Sequence, residues 1–369
     1  MDRMDGLGIH KSMIEMICKR FAIEEEVSEQ KKLGGAFNTN IRIAAGRSEY
    51  VLRISGAAAS EEQLREIYRL QQRLSAQGIP VPLPHLAENG EPCIRIDEKL
   101  IQVLPYIAGE PFRGGECQVR SSGAMLRRFH EALAGEGCPL NPPVDFHRTY
   151  DYCREALQQL EDVERISRFG LTEAAHAAER VYARWSAAEG NLPQTILHGD
   201  WHFWNQLYTD DQVTAVLDLD YMHSGPRIMD VAYAMWIIHI LLPNRAASYR
   251  RAFLAGYGAL HEEEIEVLPY AAARIALFFL CHAAYSSNPA RKWHKQYANQ
   301  MPFINWLLTA GGQELRKAAQ AVRSQQIGQT NNVPASGRLP GRHTASIRFP
   351  ASIRWASVLD PLTRSLKYE

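Results

Sequence analysis

The chain has 369 residues, with 41 Lys plus Arg against 41 Asp plus Glu, so its formal charge is zero, and it is 46% apolar and 22% charged. A duplex-binding or polybasic membrane-surface protein needs a surplus of cations, to release counterions or to be held at an anionic surface, and the whole-chain sum holds none. What remains is a globular protein of roughly two domains or lobes, at ~150 residues each, with neither nucleic acid nor membrane as an expected partner.

The first eleven residues mix Asp2, Arg3 and Asp5 with no apolar core, so no secretory signal is expected there. Residues 33–54 read as two alternating strands about the turn Ala45-Gly46-Arg47-Ser48. A helix is predicted over 60–76, capped by Ser60, with Leu64, Ile67, Leu70 and Leu74 on one face. Pro80, Pro82 and Pro84 exclude helix interior or central strand, and residues 93–96 and 100–104 read as paired strands. Residues 1–105 are thus expected to form an α+β unit with a mostly antiparallel sheet and one main helix.

Beyond Tyr106 the pattern turns helical, with helices predicted over 122–134, 150–166 and 172–188, a β island over 195–219, and further helices from 230 to 321. The longest apolar stretch, residues 231–242, carries His239 and is short of the ~20 residues needed to cross a bilayer, so it is expected as a buried helix. Residues 106–321 are expected to form a larger helical lobe. Residues 322–369, rich in Gln, Asn, Ser, Pro and Arg, are expected to be a disordered basic tail. The six cysteines, with no C-x-x-C pair, are expected as buried reduced thiols in a cytoplasmic protein.

The chemistry concentrates in Ile196-Leu-His-Gly-Asp-Trp-His-Phe-Trp-Asn205 and the following Ala215-Val-Leu-Asp-Leu-Asp220. Phosphoryl transfer to a hydroxyl needs a carboxylate to accept the proton, a carboxamide oxygen for a magnesium ion and a second carboxylate on the metal. Asp200 and Asn205 fill the first two roles in H-x-D-x-x-x-x-N, and Asp218 ends the next strand where the third belongs. A turn at Asp210-Asp211 folds the two strands back so that Asn205 and Asp218 reach one ion. His198 is expected to order the loop by hydrogen bonding. A metal reading of His198, Asp200 and His202 lacks the further His and Asp blocks of a metallophosphatase. Trp201 and Trp204 flank Asp200 and are weighed as loop packing or as a cation-π surface for an ammonium ligand. The run Glu262, Glu263, Glu264 and Glu266 is read as a solvated helix start.

These motifs, in this order, resemble the aminoglycoside phosphotransferase and choline kinase group, small-molecule kinases with a protein-kinase-like fold. The resemblance implies a nucleotide loop at Gly34, Gly35, Asn38, Thr39 and Asn40, whose backbone donors would cover phosphates. It implies a phosphate-pairing cation at Arg53, where the group usually has Lys, and an acidic partner for it at Glu66. It implies an adenine-binding hinge at Leu104 to Tyr106, the base at Asp200 and metal ligands at Asn205 and Asp218. The implied cofactors are ATP or GTP with Mg2+, and the implied partner is a small hydroxyl-bearing acceptor: an aminoglycoside, an amino alcohol, a homoserine-like amino acid or a sugar. The Leu219-Asp220 that follows Asp218 stands in place of the Phe-Gly of protein kinases and favours small-molecule kinases. The rival reading is a non-catalytic scaffold of the same fold, like the kinase-fold spore coat proteins, which would have no need of Asp200, Asn205 and Asp218 together.

The zero net charge divides unequally. Residues 322–369 hold seven of the basic residues and two of the acidic ones, which leaves 34 basic and 39 acidic residues in the body. That acidic surplus leans toward an amine-bearing acceptor.

Overall fold

The computed structural model describes residues 11–34, 38–56, 59–140 and 149–330. Helix α1 (Lys11–Arg20) precedes five strands, β1 (Val27–Gly34), β2 (Thr39–Ala45), β3 (Ser48–Ile54), β4 (Ile94–Ile96) and β5 (Lys99–Pro105). They form one antiparallel sheet in the order β1-β2-β3-β5-β4. Alternation along β2 buries Ile41, Ile43 and Ala45, which cluster with Leu52, Ile101 and Val103, with Ile14 and Ile17 of α1 and with Phe21 just after it.

Helix α2 (Glu61–Ala76) lies between β3 and β4 in sequence, and the Ser60 hydroxyl caps it by accepting from the Gln63 N–H at 3.1 Å. Its apolar stripe is shared between the lobes. Leu64 packs with Cys93 and Leu100 of the first lobe, whereas Ile67, Leu70 and Leu74 join the core of the second. Each fully buried leucine contributes about 1.5–3 kcal/mol by leaving water, so α2 is anchored to the helical lobe while it flanks the sheet.

The second lobe contains α3 (Glu116–Ala132), α4 (Tyr150–Glu161), α5 (Arg168–Ala188), α6 (Ile228–Leu241), α7 (Ala246–Tyr257), α8 (Glu262–Cys281), α9 (Pro289–Leu307) and α10 (Ala310–Thr330). Two small ribbons sit between α5 and α6: β6 (Gln194–Leu197) pairs with β9 (His223–Pro226), and β7 (Gln206–Thr209) pairs with β8 (Gln212–Val216). Asp210 and Asp211 both take positive φ, the backbone of a two-residue hairpin turn, as expected from the sequence. Helices α3 and α7 approach so closely that a Cβ on Gly123 would stand 2.2 Å from the Phe253 carbonyl oxygen.

The α+β architecture with an antiparallel first lobe and a helical second lobe is as expected. Four details differ. Helix α1 and strand β1 had no periodic signature. Residues 231–242 fall in α6, a mostly buried helix as expected, but a longer apolar helix was not singled out: Glu262–Tyr285 has the length and composition to cross a membrane, yet 72% of its apolar window is buried in the protein core. Helix α10 continues through residue 322 to Thr330, past the expected start of the tail, and residues 331–369 lie outside the described residues. Cys117 is exposed and Cys138 half-buried, whereas the other four cysteines are buried, and all six are free thiols.

The acidic start of α8 is not uniformly solvated. Glu264 is fully buried and accepts two hydrogen bonds from Arg227, Nε at 2.8 Å and Nη2 at 2.6 Å, as well as the His261 N–H at 2.8 Å. This fork joins the end of β9 to α8 across the core. Glu264→Ala would strand the Arg227 guanidinium, so urea denaturation should report a loss of about 3–5 kcal/mol. A loss below about 1 kcal/mol would mean that the pair is dispensable to the packing of the helical lobe.

Candidate active site

The loop after β6 is built around a buried carboxylate. Asp230, in the first turn of α6, accepts the backbone N–H of His198 at 2.8 Å on one oxygen and that of Gly199 at 3.0 Å on the other. His130 Nε2 of α3 is bonded to the same carboxylate at 3.0 Å, and His130 Nδ1 to the Tyr257 hydroxyl of α7 at 3.0 Å. Burial works against ionisation of Asp230, but the His130 hydrogen bond and the neighbouring imidazoles hold its carboxyl below the usual carboxylate range. Gly199 has φ +82°, and a Cβ there would lie 2.3 Å from the Tyr221 carbonyl oxygen, so the turn requires glycine. His198 is buried, its Nε2 bonded to the Leu217 carbonyl at 3.0 Å and its Nδ1 accepting the Asp200 N–H at 3.3 Å. It ties the loop to the strand that leads to Asp218, the ordering part expected of it.

This framework presents Asp200. The Tyr233 hydroxyl of α6 donates to Oδ1 at 2.7 Å, Asn205 Nδ2 donates to Oδ2 at 3.0 Å, and His202 Nε2 lies 3.5 Å from Oδ2. His202 Nδ1 accepts the Asn205 N–H at 3.2 Å, which leaves the ring proton on the nitrogen facing Asp200. Burial raises the cost of charging Asp200, yet the His202 ring N–H turned toward it, and then the Tyr233 hydroxyl, keep its carboxyl below the usual range. Asp200 is therefore ionised at neutral pH.

Asn205 Nδ2 also donates to the Asp200 carbonyl at 3.0 Å, so the amide nitrogen is turned to the loop and Oδ1 is left as an acceptor. Asp218 has φ +59°, a left-handed conformation that costs of order 1 kcal/mol and tips its side chain out of the strand path. Although 45% of its side-chain surface is open to the cleft, its place deep between the lobes, and next the like charge of Asp220, push its carboxyl up to about 7; Arg53 offsets part of this. Hard oxygen donors crowded beyond what Arg53 neutralises suit Mg2+, which takes one or two carboxylates and completes its shell with substrate phosphates and water.

The first lobe reaches the same point through Asp220. Its Oδ2 pairs with Arg53 Nη2 and accepts from Asn38 Nδ2 at 2.8 Å, while Gln63 Nε2 of α2 donates to its backbone carbonyl at 3.3 Å. Arg53 also stands 3.6 Å from Asp218. Two expectations change here. Glu66 is not the partner of Arg53: its carboxylate is bonded by Arg69 one turn on, at 2.7 and 2.9 Å, because the register of α2 turns Gln63 toward the cleft instead. Asp220 holds the arginine in its place. The Tyr106 N–H donates to the Glu49 carbonyl at 3.0 Å, and the ring lies under the Arg42 guanidinium at 4.2 Å, so this donor is not open to adenine.

Leu104 lines up with Val51 in the β3–β5 pair, beside the cleft. Gly34 pairs with Asn40, Thr39 with Ile54 and Asn40 with Arg53, so the two ends of the proposed nucleotide loop are joined; Gly35 lies outside the described residues. Trp201 is fully buried, its indole N–H donating to Ser122 Oγ at 3.1 Å, and Trp204 packs edge-on to Phe112, so both serve the loop's packing. Tyr233, Gln63 and His130 were not singled out in the sequence as contacts of this site. Tyr233 falls one helical turn after Asp230, and that spacing on a helix leading out of the metal-carboxylate segment is the signal that could have found it.

Since the folded-state carboxyl of Asp230 titrates below its unfolded value of ~3.9, its stabilisation is complete above that value and is lost as pH falls through the folded one. Asp230→Asn should thus lower stability by about 1–3 kcal/mol at pH 7. The gap to wild type in urea melts should narrow at pH 3. A gap that does not change with pH would contradict a charged Asp230.

The family model described as the phosphotransferase enzyme family matches residues 30–266. A homoserine kinase of Rhodopseudomonas palustris (strain BisA53) is 24% identical over 271 residues, 70% of this chain and 79% of that protein. One of Zymomonas mobilis subsp. mobilis (strain ATCC 31821 / ZM4 / CP4) is 24% identical over 270 residues, 68% of this chain and 78% of that protein. Among solved structures, a microcompartment-associated aminopropanol kinase superposes with a TM-score of 0.66 at 14% identity, covering 84% of this chain and 100% of that one. Amicoumacin kinase hAmiN, in complex with AMP-PNP, Ca2+ and Ami, superposes with a TM-score of 0.58 at 16% identity, covering 81% of this chain and 96% of that one. With the family model spanning well over half its length and its fold shared with these kinases, the chain belongs to the phosphotransferase enzyme family.

Proposed function

We propose that the protein transfers the γ-phosphoryl group of ATP to a hydroxyl of a small molecule, with Asp200 as the base and Asn205 and Asp218 as ligands of Mg2+. The observation that carries this reading is the meeting, between the lobes, of an ionised Asp200 held by Tyr233 and Asn205, the carboxylates of Asp218 and Asp220, and the Arg53 cation. The homoserine kinases among its relatives and the AMP-PNP and Ca2+ bound by one structural neighbour support a nucleotide, a divalent ion and a small acceptor.

In this reading adenine lies beside Leu104 and the phosphates lie under the 34–40 loop, near Arg53, which exchanges its carboxylate partners for phosphate oxygens. Bound Mg2+ supplies charge compensation for the phosphoryl group in transfer. Asp200 accepts the acceptor's hydroxyl proton as the oxygen–phosphorus bond forms. Tyr233 and Asn205 fix the rotamer of the base, so that the hydroxyl meets it already aligned. Because the transition state is loose, positioning and electrostatics supply most of the rate.

Asp200→Asn keeps the shape but cannot take the proton. Its kcat, measured by coupled ADP release with a turned-over acceptor, should fall by about 10²–10⁴-fold while the nucleotide Kd stays nearly constant. Full activity in this variant would remove Asp200 from the role of base.

A further inference from the structure

A clasp of side chains spans the cleft where the phosphates of a nucleotide would lie. Arg53 of β3 pairs with Asp220 Oδ2 from the helical lobe, and Asn38 Nδ2 of the 34–40 loop donates to the same oxygen at 2.8 Å. Asn38 Oδ1 in turn accepts the Gly56 N–H at 3.1 Å, just past the end of β3, so this amide is fixed on both sides. Gln63 Nε2 of α2 donates to the Asp220 carbonyl at 3.3 Å. Asp220 thus gathers a strand, a loop and a helix of the sheet lobe onto one residue. The Nη2 that it holds also stands 3.6 Å from Asp218, so a single guanidinium answers two carboxylates. These contacts are part-buried, where salt screens charge less than at an open surface.

We propose that Asp220 is a specificity-determining residue that selects against metal-free nucleotide, by holding Arg53 until phosphates and a divalent cation arrive together. Phosphate oxygens and Asp220 compete for the same guanidinium. A nucleotide without a cation can take Arg53, but it leaves Asp220 uncompensated beside Asp218 and adds negative charge against both. A nucleotide that carries Mg2+ brings a cation for the carboxylates and an anion for the arginine, so both halves of the broken pair are compensated at once. The claim rests on the phosphotransfer reading for the nucleotide, and it differs from the part given to Asp218. Asp218 makes the metal-bound form bind better; Asp220 makes the metal-free form bind worse. The place of the acid matters for this. A partner for Arg53 on α2 would neutralise it from within the sheet lobe, away from the metal carboxylates, whereas Asp220 lies two residues from Asp218, and Glu66 of α2 is bound to Arg69 instead.

The test is calorimetric titration of the full-length protein with ATP, and with tripolyphosphate as a base-free probe, in EDTA and then in excess Mg2+, paired with ADP release across hydroxyl-bearing acceptors. Asp220→Asn and Asp220→Ser should each bind both metal-free probes about tenfold more tightly than wild type, the effect of removing one competing charge-assisted hydrogen bond. Mg2+ should then improve their affinity for ATP by a smaller factor than it does in wild type. Asp220→Glu keeps the charge and should keep the wild-type discrimination. Two neutral variants prevent one misfolded protein from deciding the outcome. Metal-free binding that is unchanged or weaker in both neutral variants would overturn the inference, and so would an Asp220→Glu protein that behaves as they do. Tighter metal-free binding in the neutral variants, with no ADP release by wild type on any acceptor, would uphold the clasp and sink the phosphotransfer reading. ADP release by wild type with no change in metal-free affinity would do the reverse.

Discussion

The carboxylate of Asp230 accepts two consecutive backbone N–H groups of the catalytic loop and a ring nitrogen of His130, with no water-exposed surface to speak of. A buried charge is tolerable only when its lone pairs are filled, and here the groups that fill them are the ones whose positions matter for chemistry. The same helix supplies Tyr233 one turn later, on the same face, to hold Asp200. Helix α6 thus both holds the loop and orients the base, and α6 is itself clamped by the core of the helical lobe. Through His130 and Tyr257 the tie extends to α3 and α7, which pack closely at Gly123. Asp200 is placed by rigid elements rather than by a free loop, as the proposed role of base requires.

The contacts of the first lobe with this framework are of another kind. Arg53, Asn38 and Gln63 converge on Asp220. These are part-exposed polar contacts, which contribute modestly and exchange readily for ligand oxygens. Asp220 sits at the junction, and its pairing with Arg53 occupies the place an acidic residue of α2 was expected to take.

The catalytic loop was legible in the sequence because its meaning lies in polar side chains at fixed local spacing: Asp200, Asn205 and Asp218 do come together about one turn and one hairpin. The capping of α2 by Ser60 and the turn at Asp210-Asp211 were legible for the same reason. What was not legible depends on rotation or on partners far along the chain. Glu66 and Gln63 are both polar residues of α2, and only the helix's packing decides which of them faces Asp220; a three-residue spacing let Arg69 take Glu66 locally. Strand β1, with its charged residues, and β9, His223-Ser-Gly-Pro226, lack the alternation that marks a strand, and are held by their neighbours' ladders. The burial of Glu264 needed Arg227, 37 residues away in sequence.

The account stands on Asn205 and Asp218 forming, with Arg53, a site for a metal–nucleotide complex. Titrating ATP into the full-length protein by calorimetry, with and without Mg2+, tests this most directly. The account predicts binding that tightens markedly with Mg2+ and loses that gain in Asp218→Asn; binding indifferent to Mg2+, or unchanged in the variant, would contradict it.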